Sequence, residues 1–217
     1  MAKSYEYILF DLDGTLTDSV LGVINGFSYV IEKMGKPVPP ESQLRKFVGP
    51  PLIVSFGTHL GYPPDEAEKA VEMFREYYNE MGGALENVVY PGVEKLLSDL
   101  KIAGKTLVVA TSKGTRAANI VLEHFDLKKY FAFIATADDE IRPRKVDVIR
   151  YALDSCGVSD LSKAVMVGDR EHDVLAAKEV GIDSIGVLYG YGGREELLAA
   201  GATFLAATPA DVKALTN

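Results

Sequence analysis

The string Phe10-Asp11-Leu12-Asp13-Gly14-Thr15-Leu16-Thr17-Asp18-Ser19 directly follows the apolar run Tyr7-Ile8-Leu9. An apolar run that stops at two carboxylates one residue apart reads as a buried strand opening at its carboxyl end into an acidic turn. Asp11 and Asp13 repel one another there unless a cation or a transferred proton offsets the charge. The plainer alternative is an acidic loop of ordinary turn residues, since Asp and Gly both favour turns.

Beyond the turn, Val20, Val23, Ile24, Phe27, Val30, Ile31 and Met34 recur at helical spacing, and Gly35 is placed to end the helix. From residue 36 to about residue 83 strand-like runs vanish. Prolines at 37, 39, 40, 50, 51, 63 and 64 punctuate the segment, and 65–81 is a long amphipathic helix. This reads as an all-helical insertion. After Tyr90-Pro91-Gly92, strand and helix patterns alternate to the end. Strands are expected at 106–110, 131–136, 164–167, 184–187 and, at an edge, 204–206. Helices are expected at 93–103, 116–125, 146–156, 173–180 and 195–200, with Thr208 and Pro209 opening a last one. Such alternation implies a doubly wound parallel α/β sheet covered on both faces. Ligands of such sheets gather outside the carboxyl ends of the strands, where the acidic turn lies.

Composition sets the outer bounds. A chain of 217 residues suits one sizeable domain, or a core domain with a modest insertion. With 31 acidic against 23 basic residues the formal charge is −8, which argues against sequence-independent nucleic-acid binding or an anionic membrane surface. No apolar run approaches the roughly 20 residues of a membrane span. Residues 1–7 are too polar for a signal peptide, so a cytoplasmic location is the expectation. Cys156 is a single cysteine and reads as a packing residue. His59, His124 and His172 lack paired metal-ligand spacing.

Three further stretches carry chemistry. Val108-Val109-Ala110-Thr111-Ser112-Lys113-Gly114 is a strand ending in hydroxyls at a helix start, suited to a phosphoryl oxygen through free amides and the helix dipole; simple capping by Thr111 or Ser112 is the alternative. Arg142, Arg144 and Lys145 are basic residues at a loop-to-helix junction. Val165-Met166-Val167-Gly168-Asp169-Arg170-Glu171-His172-Asp173 again delivers carboxylates from a strand into a turn, with an Asp169 N-cap as the alternative.

The DxDGTLxDS string over 11–19 resembles the first motif of the haloacid dehalogenase superfamily of phosphohydrolases. The stretches at 108–114, 142–145 and 165–173 resemble its second, third and fourth, in the required order. The resemblance covers almost the whole chain. It implies a Rossmann-like core at 1–17 and 86–217 and an inserted helical cap at 18–85. It also implies that Asp11 is the nucleophile, that Asp13 handles protons, and that Thr111 and the Ser112 amide hold the phosphoryl group. Lys145 is the implied cation, although the KPxP spelling is absent and Arg142 with Pro143 offers a rival alignment. Asp11, the main-chain carbonyl of Asp13 and Asp169 would hold Mg2+, with Asp173 acting through water or bracing the loop. Few carboxylates with room for water and phosphate suit Mg2+.

In the insertion, Gly49-Pro50-Pro51-Leu52, and Arg75 with Tyr77 and Tyr78, are similar to the phosphoglycolate phosphatase-like and bacterial 5′-nucleotidase-like branch. Arg45 or Arg75 would grip a substrate anion there, or serve only as exposed helix charges. The expected activity is Mg2+-dependent hydrolysis of a small phosphorylated metabolite through an aspartyl-phosphate, by a monomer or homodimer.

Rival readings share parts of this pattern. A sugar phosphomutase of the β-phosphoglucomutase type would return the phosphoryl group to a sugar. A dehalogenase has no use for Asp13, and Schiff-base phosphonate hydrolysis would need a cap lysine such as Lys33, Lys36 or Lys46. A phospho-receiver module would be nearer 120 residues, with no insertion, and an inactive scaffold would have no reason to keep both Asp11 and Asp13.

Overall fold

The computed structural model describes residues 4–49, 51–138 and 140–216. Pro50, within the Gly49–Leu52 string, and the first three residues of the polar start lie outside the described residues.

Strand β1, Tyr7–Phe10, is buried along Ile8, Leu9 and Phe10. After the short β2, Thr17–Asp18, the chain forms α1, Val20–Lys33, then the four-residue α2, Glu41–Leu44, the three-residue α3, Leu52–Val54, and α4, Pro64–Glu80. It returns through the short β3, Val88–Val89, and α5, Val93–Ile102, to β4, Thr106–Gly114. Then follow α6, Thr115–His124, β5, Phe133–Ala137, α7, Lys145–Ser155, and β6, Ala164–Gly168. The chain ends with α8, Glu171–Val180, β7, Asp183–Val187, α9, Arg194–Ala200, β8, Phe204–Ala206, and α10, Pro209–Thr216.

Six strands form one parallel sheet in the order β5-β4-β1-β6-β7-β8. Winding runs outward from β1 to β4 and β5, then restarts on its other side with β6, β7 and β8. The direction reverses at β1, and in open sheets that reversal opens the crevice where ligands bind. Tyr7 to Phe10 lie in register with Thr106 to Val109 on one side and Ala164 to Val167 on the other. The three segments leaving β1, β4 and β6 therefore emerge side by side. Apolar residues of β1, β4 and β6, including Leu9, Val108 and Met166, pack with Val146, Ile149 and Leu153 of α7 and Ala177 of α8. Cys156 joins this packing half-buried, and burial pushes its thiol pKa up.

The chain divides into two compact units, residues 1–18 with 89–217, and residues 19–88. Among the described residues, the regular elements of the second unit are all helical except Val88 of β3. Its interior centres on Phe27 of α1, whose ring lies 5.2 Å from that of Phe47, 4.8 Å from Phe56 and 5.1 Å from Phe74. Tyr78 is buried on Phe74, while Tyr77 stacks on Tyr29 and donates a hydrogen bond to Glu86 at 2.9 Å. Tyr78 thus belongs to this unit's interior, and Tyr77 lies half-buried at its edge. No helix among the described residues is long and apolar enough to cross a membrane.

Element types follow the sequence patterns closely, with two departures. The stretch between the prolines forms α2 and α3, each shorter than the window over which helical periodicity can be read. Strand β4 continues past Ala110 to Gly114 with a bulge, because pairing to β5 slips between Thr111 and Gly114.

Candidate active site

The acidic turn forms as the ladder of β1 runs out. The Asp11 amide still donates to the Val167 carbonyl at 2.9 Å, and the chain then folds back so that the Leu12 carbonyl accepts from Leu16 and Thr17. Gly14 has φ of +84°, and a Cβ there would lie 2.3 Å from Asp169 Oδ2. Only glycine suits both the left-handed backbone and the approach of the neighbouring carboxylate.

Lys145, at the start of α7, reaches the cluster with its side chain only 6% exposed. Its Nζ lies 2.7 Å from Asp11 Oδ1 and 2.7 Å from Asp173 Oδ1. Burial works against its charge, but the two carboxylates outweigh burial and push its pKa up to about 12. Arg142 is engaged elsewhere, donating to the Thr136 carbonyl at 3.2 Å with its guanidinium 4.3 Å from the centre of the Tyr151 ring. Of the two rival cations, Lys145 is the one beside Asp11.

Asp169 is fully buried. It accepts from the Thr15 hydroxyl at 3.2 Å and from the Tyr191 amide at 2.8 Å. The N-cap of α8 is Arg170, so Asp169 is not a helix cap. Asp173 accepts from the Arg170 amide at 3.1 Å as well as pairing with Lys145. Carboxylate oxygens of Asp11, Asp169 and Asp173 lie within 4.8 Å of one another. Burial, with Asp173 and Asp11 close by, lifts Asp169 to about 8. Burial also lifts Asp11, to about 6, with Lys145 opposing and Asp173 adding to the shift.

Asp13 lies outside that trio. Lys113 Nζ holds its Oδ2 at 2.7 Å, while Oδ1 is buried with no hydrogen-bond partner among the described residues. The Thr111 side chain is buried and accepts the Lys113 amide at 3.2 Å, whereas Ser112 is exposed. The N-cap of α6 is Gly114, so neither hydroxyl caps that helix.

Four carboxylates, Asp11, Asp13, Asp169 and Asp173, thus face two directly paired ammoniums, Lys113 and Lys145. A divalent cation would balance the remaining two negative charges; the raised values of Asp11 and Asp169 come first from burial, with the neighbouring carboxylates adding to it. An all-oxygen donor set fits Mg2+ better than zinc.

One contributor, Lys113, escaped the sequence reading, whereas the loop 189–193 reads from sequence as either bordering the pocket or merely turning the chain. Lys113 stood within a recognised motif, two residues after Thr111, but was given no role. In the loop 189–193, Tyr191 fixes Asp169 through its amide and reaches Asp18 Oδ1 through its hydroxyl at 3.2 Å. A Cβ on Gly190 would lie 2.2 Å from the Gly14 carbonyl oxygen. The glycine-tyrosine alternation of that loop was the available signal. Arg45 and Arg75 belong to the helical unit, where Arg45 forms an exposed ion pair with Glu41 at 2.7 Å and Arg75 is exposed on α4.

The family model described as haloacid dehalogenase-like hydrolase matches residues 8–187, which contain all four motifs. The chain belongs to this family. Among similar proteins is the 5′-nucleotidase of Pseudomonas aeruginosa, 39% identical over 91% of this chain and 89% of that protein. The tyrosine-protein kinase PtkA of Mycobacterium tuberculosis is 40% identical over 88% of this chain, which spans 64% of its length. In structure, a predicted phosphatase from Clostridium acetobutylicum aligns with a TM-score of 0.90 at 43% identity, covering 97% of each chain.

Proposed function

We propose that this haloacid dehalogenase-like phosphatase hydrolyses small phosphomonoesters, such as phosphoglycolate, a nucleoside monophosphate or a sugar phosphate, through a phosphoryl group carried on Asp11. The reading is carried by one observation: Asp11, at the exit of the central strand, has one oxygen held by a buried lysine, with a second carboxylate two residues along.

Asp11 attacks phosphorus in line, forming an aspartyl-phosphate as the ester P–O bond breaks, and splits one hard displacement into two easier ones. Asp13 gives a proton to the departing alkoxide, then takes one from the water that displaces phosphate from Asp11. Its buried, unpartnered Oδ1 is the atom suited to that exchange. Lys145, the Thr111 hydroxyl and the Ser112 amide stabilise charge on the phosphoryl oxygens. Asp173, itself held by the Arg170 amide, keeps Lys145 aimed at Asp11. Asp11, Asp169 and the Asp13 main-chain carbonyl would hold Mg2+, which supplies further positive charge for those oxygens when bound. The helical unit acts as the cap, with Arg45 and Arg75 as its candidates for the substrate's remaining anionic groups.

The test is phosphate release from p-nitrophenyl phosphate with and without Mg2+, by the wild-type protein and Asp11→Asn. Metal-dependent release by the wild type and none by a folded D11N protein are expected; turnover by purified D11N contradicts the assignment. Transfer to a glucose phosphate in place of phosphate release would identify a mutase.

A further inference from the structure

The loop between β7 and α9 is mostly glycine, with Gly at 190, 192 and 193. Close approach requires two of them: a Cβ on Gly190 would lie 2.4 Å from Asp169 Cβ, and one on Gly192 would lie 1.9 Å from the Asp169 main-chain oxygen. The loop therefore runs against Asp169 on bare backbone. Glycine is permissive and orders only at an entropic cost, so these residues admit the contact without fixing it. Tyr191 carries the one side chain in 190–193, and its amide donates to Asp169 Oδ2 at 2.8 Å. That bond and the Thr15 hydroxyl on Oδ1 at 3.2 Å orient the carboxylate.

The core unit is interrupted once in sequence, stopping at Asp18 and resuming at Val89. Tyr191 reaches both borders of that interruption. Its hydroxyl donates to Asp18 Oδ1 at 3.2 Å and pairs with the hydroxyl of Tyr90, whose amide donates to the Leu16 carbonyl at 3.1 Å. The rings of Tyr90 and Tyr189 also meet edge to face, with centroids 5.2 Å apart. One residue is thus tied through its side chain to residues 18 and 90 and through its main chain to Asp169.

We propose that Tyr191 is a positioning residue: its hydroxyl, held at Asp18 and Tyr90, keeps the amide of a glycine loop on Asp169 and so sets the affinity of the acidic cluster for a divalent cation. The inference rests on the phosphatase reading, in which Asp169 is a ligand of that cation. By linkage, cation binding orders the loop 189–193 and the chain at Asp18 and Tyr90.

The experiment compares the wild type with Tyr191→Phe, which removes the hydroxyl and keeps the ring and the amide, and with Tyr90→Phe, which removes one of its partners. Tyr5→Phe is the control, because that hydroxyl makes an equivalent bond to Asp183 Oδ2 at 2.5 Å, at the amino ends of β1 and β7 and so at the opposite end of the sheet from Asp169. Mg2+ affinity is read from the rise of Tm with Mg2+ concentration, and local order from amide hydrogen exchange with and without Mg2+. Groups that orient a metal ligand carry roughly 10- to 100-fold in metal affinity, and this hydroxyl acts one bond further out, so Y191F is expected to weaken Mg2+ binding by about 10-fold. Y90F should lose less, and Y5F should bind Mg2+ as the wild type does. Mg2+ should slow exchange at 189–193 and at Tyr90 in the wild type, and this protection should vanish in Y191F. Wild-type Mg2+ affinity in Y191F, or a loss that Y5F shares, overturns the proposal, because a hydroxyl serving only overall stability would lower Tm without moving its Mg2+ dependence. Should Y191F not fold, Y90F decides: weaker Mg2+ binding supports the proposal and unchanged binding refutes it. If the wild type binds no Mg2+, the cation reading fails instead, and exchange in the metal-free proteins decides Tyr191: faster exchange confined to 189–193 in Y191F supports the positioning role, and unchanged exchange refutes it.

Discussion

Replacing Lys145 with Met keeps most of the apolar stem while deleting the ammonium. In the structure that ammonium pairs at 2.7 Å with both Asp11 and Asp173, and its side chain is 6% exposed. Its loss leaves the Asp11, Asp169 and Asp173 carboxylates, all within 4.8 Å, facing one another. Breaking a buried pair from one side costs about 3–5 kcal/mol, because the orphaned charge stays buried. For a domain of this size 1 kcal/mol moves Tm by roughly 2–4 °C, so metal-free K145M should melt about 6–20 °C below the wild type at pH 8. The deficit should shrink at pH 5. Carboxylates held above their unfolded pKa contribute stability that is present at low pH and lost as pH rises through the folded value, and removing Lys145 raises those values further. Differential scanning calorimetry at the two pH values, with chelator present, reads this directly. A shift below about 2 °C at pH 8, or one equal at both pH values, would refute the reasoning.

The wild type should show the same linkage in milder form. Asp11 near 6 and Asp169 near 8 bind protons in the folded state that the unfolded chain has released, so metal-free stability should fall as pH rises from about 4 to 8; urea titrations should show Mg2+ removing most of that slope. Gly190→Ala should cost roughly 1–3 kcal/mol, since its Cβ would sit 2.2 Å from the Gly14 carbonyl and 2.4 Å from Asp169 Cβ. Gly193→Ala, with nothing within 4 Å of its Cβ, should stay within about 0.5 kcal/mol. Denaturant midpoints at unchanged m-value would measure both.

Much of this arrangement was legible from pattern alone, and the limits are physical. Buried parallel strands announce themselves as short apolar runs, so Tyr7–Phe10 and Ala164–Gly168 could be placed within a residue or so, together with the carboxylates that follow them. Lys145 was legible as a charge opening an amphipathic helix, and only the fold could separate it from Arg142, which lies three residues away but stacks on Tyr151. Lys113 was hidden because a one-dimensional pattern holds no signal for a bulge; β4 reads as ending at Ala110, which leaves the lysine in a loop. The loop 189–193 reads as bordering the pocket or merely turning the chain, and the sequence could not choose between these because the contact of Tyr191 with Asp169 is made by a main-chain amide, which carries no sequence identity. The short helices between residues 36 and 63 fell below the length at which 3.6-residue periodicity can be told from chance.

The most direct measurement is rapid quenching of the enzyme during turnover of p-nitrophenyl phosphate with Mg2+, followed by peptide mass mapping. A transient phosphoryl group on the peptide containing Asp11, absent from D11N, is the predicted result. Phosphate release with no phosphorylated enzyme at any time, or a phosphoryl group on a different residue, would contradict it.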